Sequence, residues 1–157
     1  MRQPLEILIN QYQRNLYLAA YNICKNAEDA NDAVQDTYIQ YYRSSIEFND
    51  EGHLRAWLLR VVINKAKNIV ISFWNRNRTS LETEDIESQI AFEDQAESEL
   101  YEEVMRLPEK IRIVIHLFYY EELSVKEISG VLKISEGAVK MRLSRGRSML
   151  RDVLKEE

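Results

Sequence analysis

The chain is poor in the residues that most specialised architectures require. Of its 157 residues, one is cysteine, four are glycine and two are proline. A single thiol, Cys24, excludes an intramolecular disulfide framework. Cys24, His53 and His116 show neither CxxC nor HxxxH spacing, which excludes a structural zinc site, so no metal and no cofactor are expected. Scarce glycine and proline exclude collagen-like and low-complexity chains. There is no Gly-rich phosphate loop and no Ser/His/Asp set, so the chain is not expected to be an enzyme. Asp29, Asp32 and Asp36 recur at helical spacing and are read as a solvated face rather than a nuclease metal site. The most apolar windows, 61–74 and 111–120, are broken by Asn64, Lys65, Lys67, Arg112 and His116, short of the ~20 apolar residues of a membrane span. The opening MRQPLEILIN lacks the apolar core of a secretory signal. The expectation is a cytoplasmic chain with no membrane insertion.

Charge is present but unevenly placed. The net charge of −5 argues against nucleic acid until it is mapped along the chain. Residues 1–80 carry +2, residues 81–103 carry ten acids and no base, and residues 104–157 carry +3. Arg55, Arg60, Lys65, Lys67, Arg76 and Arg78 lie in an acid-free run, and Lys140, Arg142, Arg145, Arg147 and Arg151 face only Glu136. Two basic modules flanking an acidic bridge fit contacts with nucleic acid.

Apolar periodicity is helical throughout. Leu5, Leu8, Ile9, Tyr12, Leu16, Ala19, Ala20 and Ile23 form one stripe, with Pro4 in the first turn. Ala30, Ala33, Val34, Thr37, Tyr38 and Tyr41 form a second. After a break at 44–52, a third helix from about His53 carries Leu54, Leu58, Val61, Val62 and Ile69. The polar stretch from Asn75 to about Asp94 reads as an extended linker. Leu100, Val104 and Leu107 resume the helical pattern, Pro108 ends it, and Ile111, Val114, Ile115, Leu117 and Phe118 mark the next helix. Ser124 with Glu127 forms a capping box, and Ser135 caps the last helix. The expected fold is all-α: two small helical domains, 1–78 and 96–157, joined by an acidic linker, 79–95, the second a four-helix domain ending in a helix-turn-helix.

In that last unit Ile128 and Leu132 point inward, and small Ser129 lets the helices approach. Val139, Leu143, Gly146 and Leu150 share the buried face of the final helix. Lys140, Met141, Ser144 and Arg145 are thereby turned outward with Arg142 and Arg147 at the flanks, a surface suited to a major groove and its phosphates. On the third helix, Trp57, Arg60, Asn64 and Lys67 form an arc away from the core stripe, suited either to stacking on and holding a single strand or to a solvated polar face with Trp57 tucked under the preceding loop.

The whole chain resembles the extracytoplasmic-function (ECF) group of bacterial RNA polymerase sigma factors. The segment LYLAAYNICKNAEDANDAVQDTYIQYY, then Phe48 and AWLLRVVINKAKN, resembles the family's first domain, and LPEKIRIVIHLFYYEELSVKEISGVLKISEGAVKMRLSRGRSML resembles its second. The resemblance implies that Asp32, Gln35, Asp36 and Ile39 dock on the polymerase core. It implies that the 44–53 loop with Phe48, plus Trp57, Arg60, Asn64 and Lys67, engages the melted minus-ten element. Lys140, Met141, Ser144 and Arg145 would read the minus-thirty-five element, with Arg142 and Arg147 on phosphates. Asn68 and Ile71 replace the Asp and Arg common in the family, removing one basic contact. The implied partners are RNA polymerase core, promoter DNA and an anti-sigma factor. The competing reading is a two-domain helix-turn-helix regulator that binds duplex as a dimer without polymerase.

Overall fold

The computed structural model describes residues 1–76 and 95–155. The linker expected at 79–95 lies outside them, apart from Gln95, which opens a helix. The described residues are helical without a strand, and they divide into two compact units, residues 1–76 and residues 95–155.

The first unit holds α1 (Leu5–Cys24), α2 (Ala27–Arg43) and α3 (Glu51–Arg76), each packed on the other two. Pro4 is the N-cap of α1 rather than its first helical residue, and Lys25 closes α1 in the left-handed region at φ 53°. The Asn26 side chain then accepts the Asp29 amide at 2.9 Å, so only two residues separate α1 from α2. Every residue of the expected α2 stripe is buried, and in α1 all but half-buried Leu5 and Ile9. Of the expected α3 stripe Leu54, Leu58, Val61 and Val62 are buried and Ile69 is half-buried, while Leu59, Ile63 and Ala66 widen the buried face, because α1 and α2 approach it from two sides.

The second unit holds α4 (Gln95–Met105), α5 (Glu109–Ile115), α6 (Val125–Leu132) and α7 (Glu136–Lys155). Leu100 departs from the expected stripe: it is exposed, and Tyr101 is buried with Val104 and Leu107. Pro108 caps α5, and the buried guanidinium of Arg112 donates to the Leu107 carbonyl at 2.9 Å, closing the corner between α4 and α5. This arginine is a structural cation whose pKa burial lowers.

The helix expected to continue through Phe118 changes character, because His116–Tyr120 form a π-helical turn. Its Glu121 amide donates to the His116 carbonyl at 3.2 Å, and the wider i→i+5 winding brings residues five apart to one side. His116 and Glu121 are thus both buried, Nε2 lying 4.0 Å from the Glu121 carboxyl.

Candidate nucleic-acid interface

The helix-turn-helix is built from caps outward. Ser124 accepts the Glu127 amide at 3.0 Å while Glu127 accepts the Ser124 amide at 2.8 Å, completing the capping box that starts α6. Lys133 ends α6 at φ 57°, ψ 48°, where a side chain costs about 1 kcal/mol relative to glycine. Ser129 does more than provide space: its hydroxyl donates to the Ile134 carbonyl at 2.6 Å, and its carbonyl accepts the Ile134 amide. The turn is closed from both sides. Ile128 is buried as expected, but Val131 takes the second inward position and Leu132 is half-buried. Ser135 caps α7 through the Ala138 amide at 3.1 Å.

These restraints fix the rotation of α7. Val139, Leu143 and Gly146 are buried and Leu150 is half-buried. Lys140, Met141, Ser144 and Arg145 are exposed together, with Arg142 half-buried beside them. Arg147 is exposed but engaged: its Nε donates to the Tyr119 hydroxyl at 2.6 Å, and its guanidinium carbon lies 5.4 Å above the Phe118 ring. The π turn therefore positions a cation at the edge of the outward surface of α7. Periodicity within α7 carries no signal for this bond, whose partner is 28 residues away.

In the first unit, Asp32, Gln35, Asp36 and Ile39 lie together on the exposed face of α2. On α3, Asn64 is exposed and Trp57, Arg60 and Lys67 are half-buried. Phe48, which the resemblance places in the loop that engages the melted strand, has a side chain only 2 % exposed. It stacks on Tyr41 with ring centroids 6.1 Å apart and meets the edges of His53 and Trp57 at 5.1 and 5.5 Å. Burial of a large apolar ring outweighs its exposure in a loop of polar neighbours. Phe48 is thus the support on which Trp57 rests.

The loop is held by groups that sequence reasoning did not select. Asp50 accepts the His53 amide at 2.8 Å and caps α3, and His53 Nδ1 accepts the Asn49 amide at 2.9 Å. Glu51 accepts from Gln3 at 3.2 Å, from Gln11 at 2.9 Å and from the Tyr12 hydroxyl. Burial and this carboxylate raise the Tyr12 pKa, keeping the phenol a donor. Arg2 bridges the last turn of α2 to the loop, donating to the Tyr41 and Ile46 carbonyls at 2.9 Å each.

One described unit ends in a helix-turn-helix, and the other carries a basic, aromatic arc beside a capped loop. The family described as Sigma-70 region 2 matches residues 8–78, and Sigma-70, region 4 matches residues 97–150. Among relatives, RNA polymerase sigma-H factor of Pseudomonas aeruginosa is 26 % identical over 95 % of this chain and 85 % of its own length. ECF RNA polymerase sigma factor SigE of Mycolicibacterium smegmatis is 30 % identical over 94 % of this chain and 60 % of its own. ECF RNA polymerase sigma factor SigW of Bacillus subtilis is 26 % identical over 95 % of this chain and 88 % of its own. The sigma factor RpoE from Bartonella quintana, solved in complex with the anti-sigma factor NepR, matches with TM-score 0.75 at 21 % identity, over 96 % of each chain. CnrH, solved in complex with the cytosolic domain of CnrY, matches with TM-score 0.68 at 25 % identity, over 98 % of this chain and 88 % of its own.

The chain belongs to the sigma-70 family of RNA polymerase sigma factors and, within it, to the ECF group. Its function is that of a sigma factor, directing core polymerase to promoters, and the dimeric regulator without polymerase is not favoured. Sigma factors are non-enzymatic DNA-recognition subunits. Among the described residues no helix is long and apolar enough to cross a membrane.

Proposed function

We propose that Lys140, Met141, Ser144 and Arg145 read the minus-thirty-five element, while Arg142 and Arg147 hold the flanking phosphates. The carrying observation is the rotation of α7: its docked face is buried, so these four side chains are its outward surface. A bidentate Arg145–guanine contact is worth about 1 to 3 kcal/mol of discrimination.

Trp57, Arg60, Asn64 and Lys67 hold the unpaired minus-ten strand, the indole stacking on a base and the cations following its backbone. Phe48 serves that site from beneath. Asp32, Gln35, Asp36 and Ile39 dock on core polymerase. The acidic segment 79–95 is the spacer between a minus-ten domain, 1–78, and a minus-thirty-five domain, 96–157. The chain itself catalyses no reaction and works in the cytoplasm, where its polymerase is. An anti-sigma factor is a further partner, by analogy with the complexes solved for RpoE and CnrH.

The test is transcription from a randomised promoter library by core polymerase with wild-type chain and with Arg145→Ala. Loss of preference at one minus-thirty-five base pair is expected. An unchanged base profile rejects this assignment of the groove-facing side.

A further inference from the structure

Local bonds at Ser44, Asn49 and Asp50 tie the two ends of the loop between α2 and α3 to its flanking helices. The Ile46 carbonyl, the Phe48 amide and the last turn of α2 are bonded instead to residues 1–3. Arg2 is the centre of this arrangement. Nη1 donates to the Ile46 carbonyl at 2.9 Å and to the Ser44 hydroxyl at 3.3 Å, and Nη2 donates to the Tyr41 carbonyl at 2.9 Å. Its guanidinium carbon lies 4.4 Å from the centroid of the Tyr41 ring. One planar cation therefore joins the Tyr41 carbonyl in the last turn of α2, which also accepts the Ser44 amide and hydroxyl, to the backbone of the loop while covering an aromatic face.

Neighbouring groups extend the strap. The Phe48 amide donates to the Met1 carbonyl at 3.3 Å, and the Tyr41 hydroxyl both accepts the Gln3 amide at 2.9 Å and donates to the Gln3 carbonyl at 2.7 Å. Tyr41 in turn meets Phe48 and Trp57. Residues 1–3 thus bond to the backbone of the loop and to the tyrosine against which Phe48 and Trp57 pack.

We propose that Arg2 is a positioning residue for minus-ten recognition: it holds the 44–50 loop and the Tyr41–Phe48–Trp57 cluster in the geometry that receives the unpaired strand. This rests on the assignment of Trp57 to that strand. A loop fixed before binding does not have to be ordered during promoter opening, so its loss slows opening rather than initial duplex binding. Charge alone does not suffice. A lysine ammonium at the same position is a point charge and cannot span three acceptors in a plane.

The experiment compares wild type, Arg2→Ala, Arg2→Lys and Trp57→Ala as holoenzymes with core polymerase. It records core affinity, duplex promoter binding, the rate of opening by thymine reactivity, and base preference across the minus-ten element. Arg2→Ala is expected to slow opening about tenfold, the equivalent of losing one charged hydrogen-bond set, with core affinity and duplex binding held. Arg2→Lys is expected to remain impaired, and both to flatten the minus-ten base preference. Wild-type opening by Arg2→Ala beside impaired opening by Trp57→Ala overturns the strap while leaving the strand-binding assignment standing. Wild-type opening by Trp57→Ala overturns that assignment and the strap with it. Equal loss of core affinity, duplex binding and opening in Arg2→Ala marks a purely structural role and overturns the proposal.

Discussion

Gly146 lies against Ile115 so closely that a Cβ on the glycine would sit 2.7 Å from the isoleucine Cδ1. This contact sets how near α7 can approach α5. Gly146→Ala must push Ile115 and Ile111 aside, and overpacking of this kind costs about 1 to 3 kcal/mol. The expected outcome is a lower melting temperature with weaker duplex binding, measured by thermal unfolding and by titration with promoter DNA. An unchanged melting temperature would show that α5 yields freely.

Lys133 is exposed and occupies the left-handed region at the helix-turn-helix corner. Lys133→Gly relieves the steric conflict of its Cβ, worth about 1 kcal/mol, and so raises stability. Chemical denaturation checks this, and the gain should appear without a change in base preference, since the groove-facing residues keep their places.

Phe48 and Trp57 should separate stability from promoter opening. Phe48→Ala empties a site that is 2 % exposed and is expected to cost about 3 to 5 kcal/mol, read from urea unfolding. Trp57→Ala, at a half-buried position, should cost less stability yet impair opening more than duplex binding, because a stacked base is worth about 1 to 3 kcal/mol.

The Tyr119 hydroxyl at 2.6 Å from Arg147 Nε holds the guanidinium at the edge of α7. Tyr119→Phe is expected to weaken promoter binding across all sequences alike, leaving base preferences intact. Arg147→Ala should reduce the slope of log affinity against log salt by about one unit. Both follow from binding measured over a salt series.

His116 gives the second domain a pH dependence. Burial lowers its pKa from 6.5 to about 4, and Nε2 has no hydrogen-bond partner. The facing groups are Glu121, 4.0 Å from Nε2, and Tyr120, whose ring stacks at 5.4 Å. As pH falls from about 6.5 towards 4 the unfolded chain takes up a proton that the folded one refuses. This contribution to stability is therefore whole above that window and declines within it, by at most about 1.4 kcal/mol per pH unit. Unfolding measured from pH 7 to 4.5 should show a shallower decline in His116→Phe.

The sequence by itself determined the helices, the capping serines Ser124 and Ser135 and the outward face of α7. A helix ties each side chain to a direction at about 100° per residue, so burying Val139, Leu143 and Gly146 turns Lys140, Met141, Ser144 and Arg145 outward whatever the domain looks like. The same logic located the α1 and α2 stripes, and the order of the two motifs carried the family. Only the tertiary structure decided the rest. The exposure of Leu100, the burial of Phe48, the π turn at His116, the Tyr119–Arg147 bond and the bridging by Arg2 depend on what a distant segment offers. Arg2 meets Ile46 across 44 residues and Tyr119 meets Arg147 across 28. Local periodicity reports the direction of a side chain along its own element, whereas the partner waiting in that direction is supplied by the packing of another.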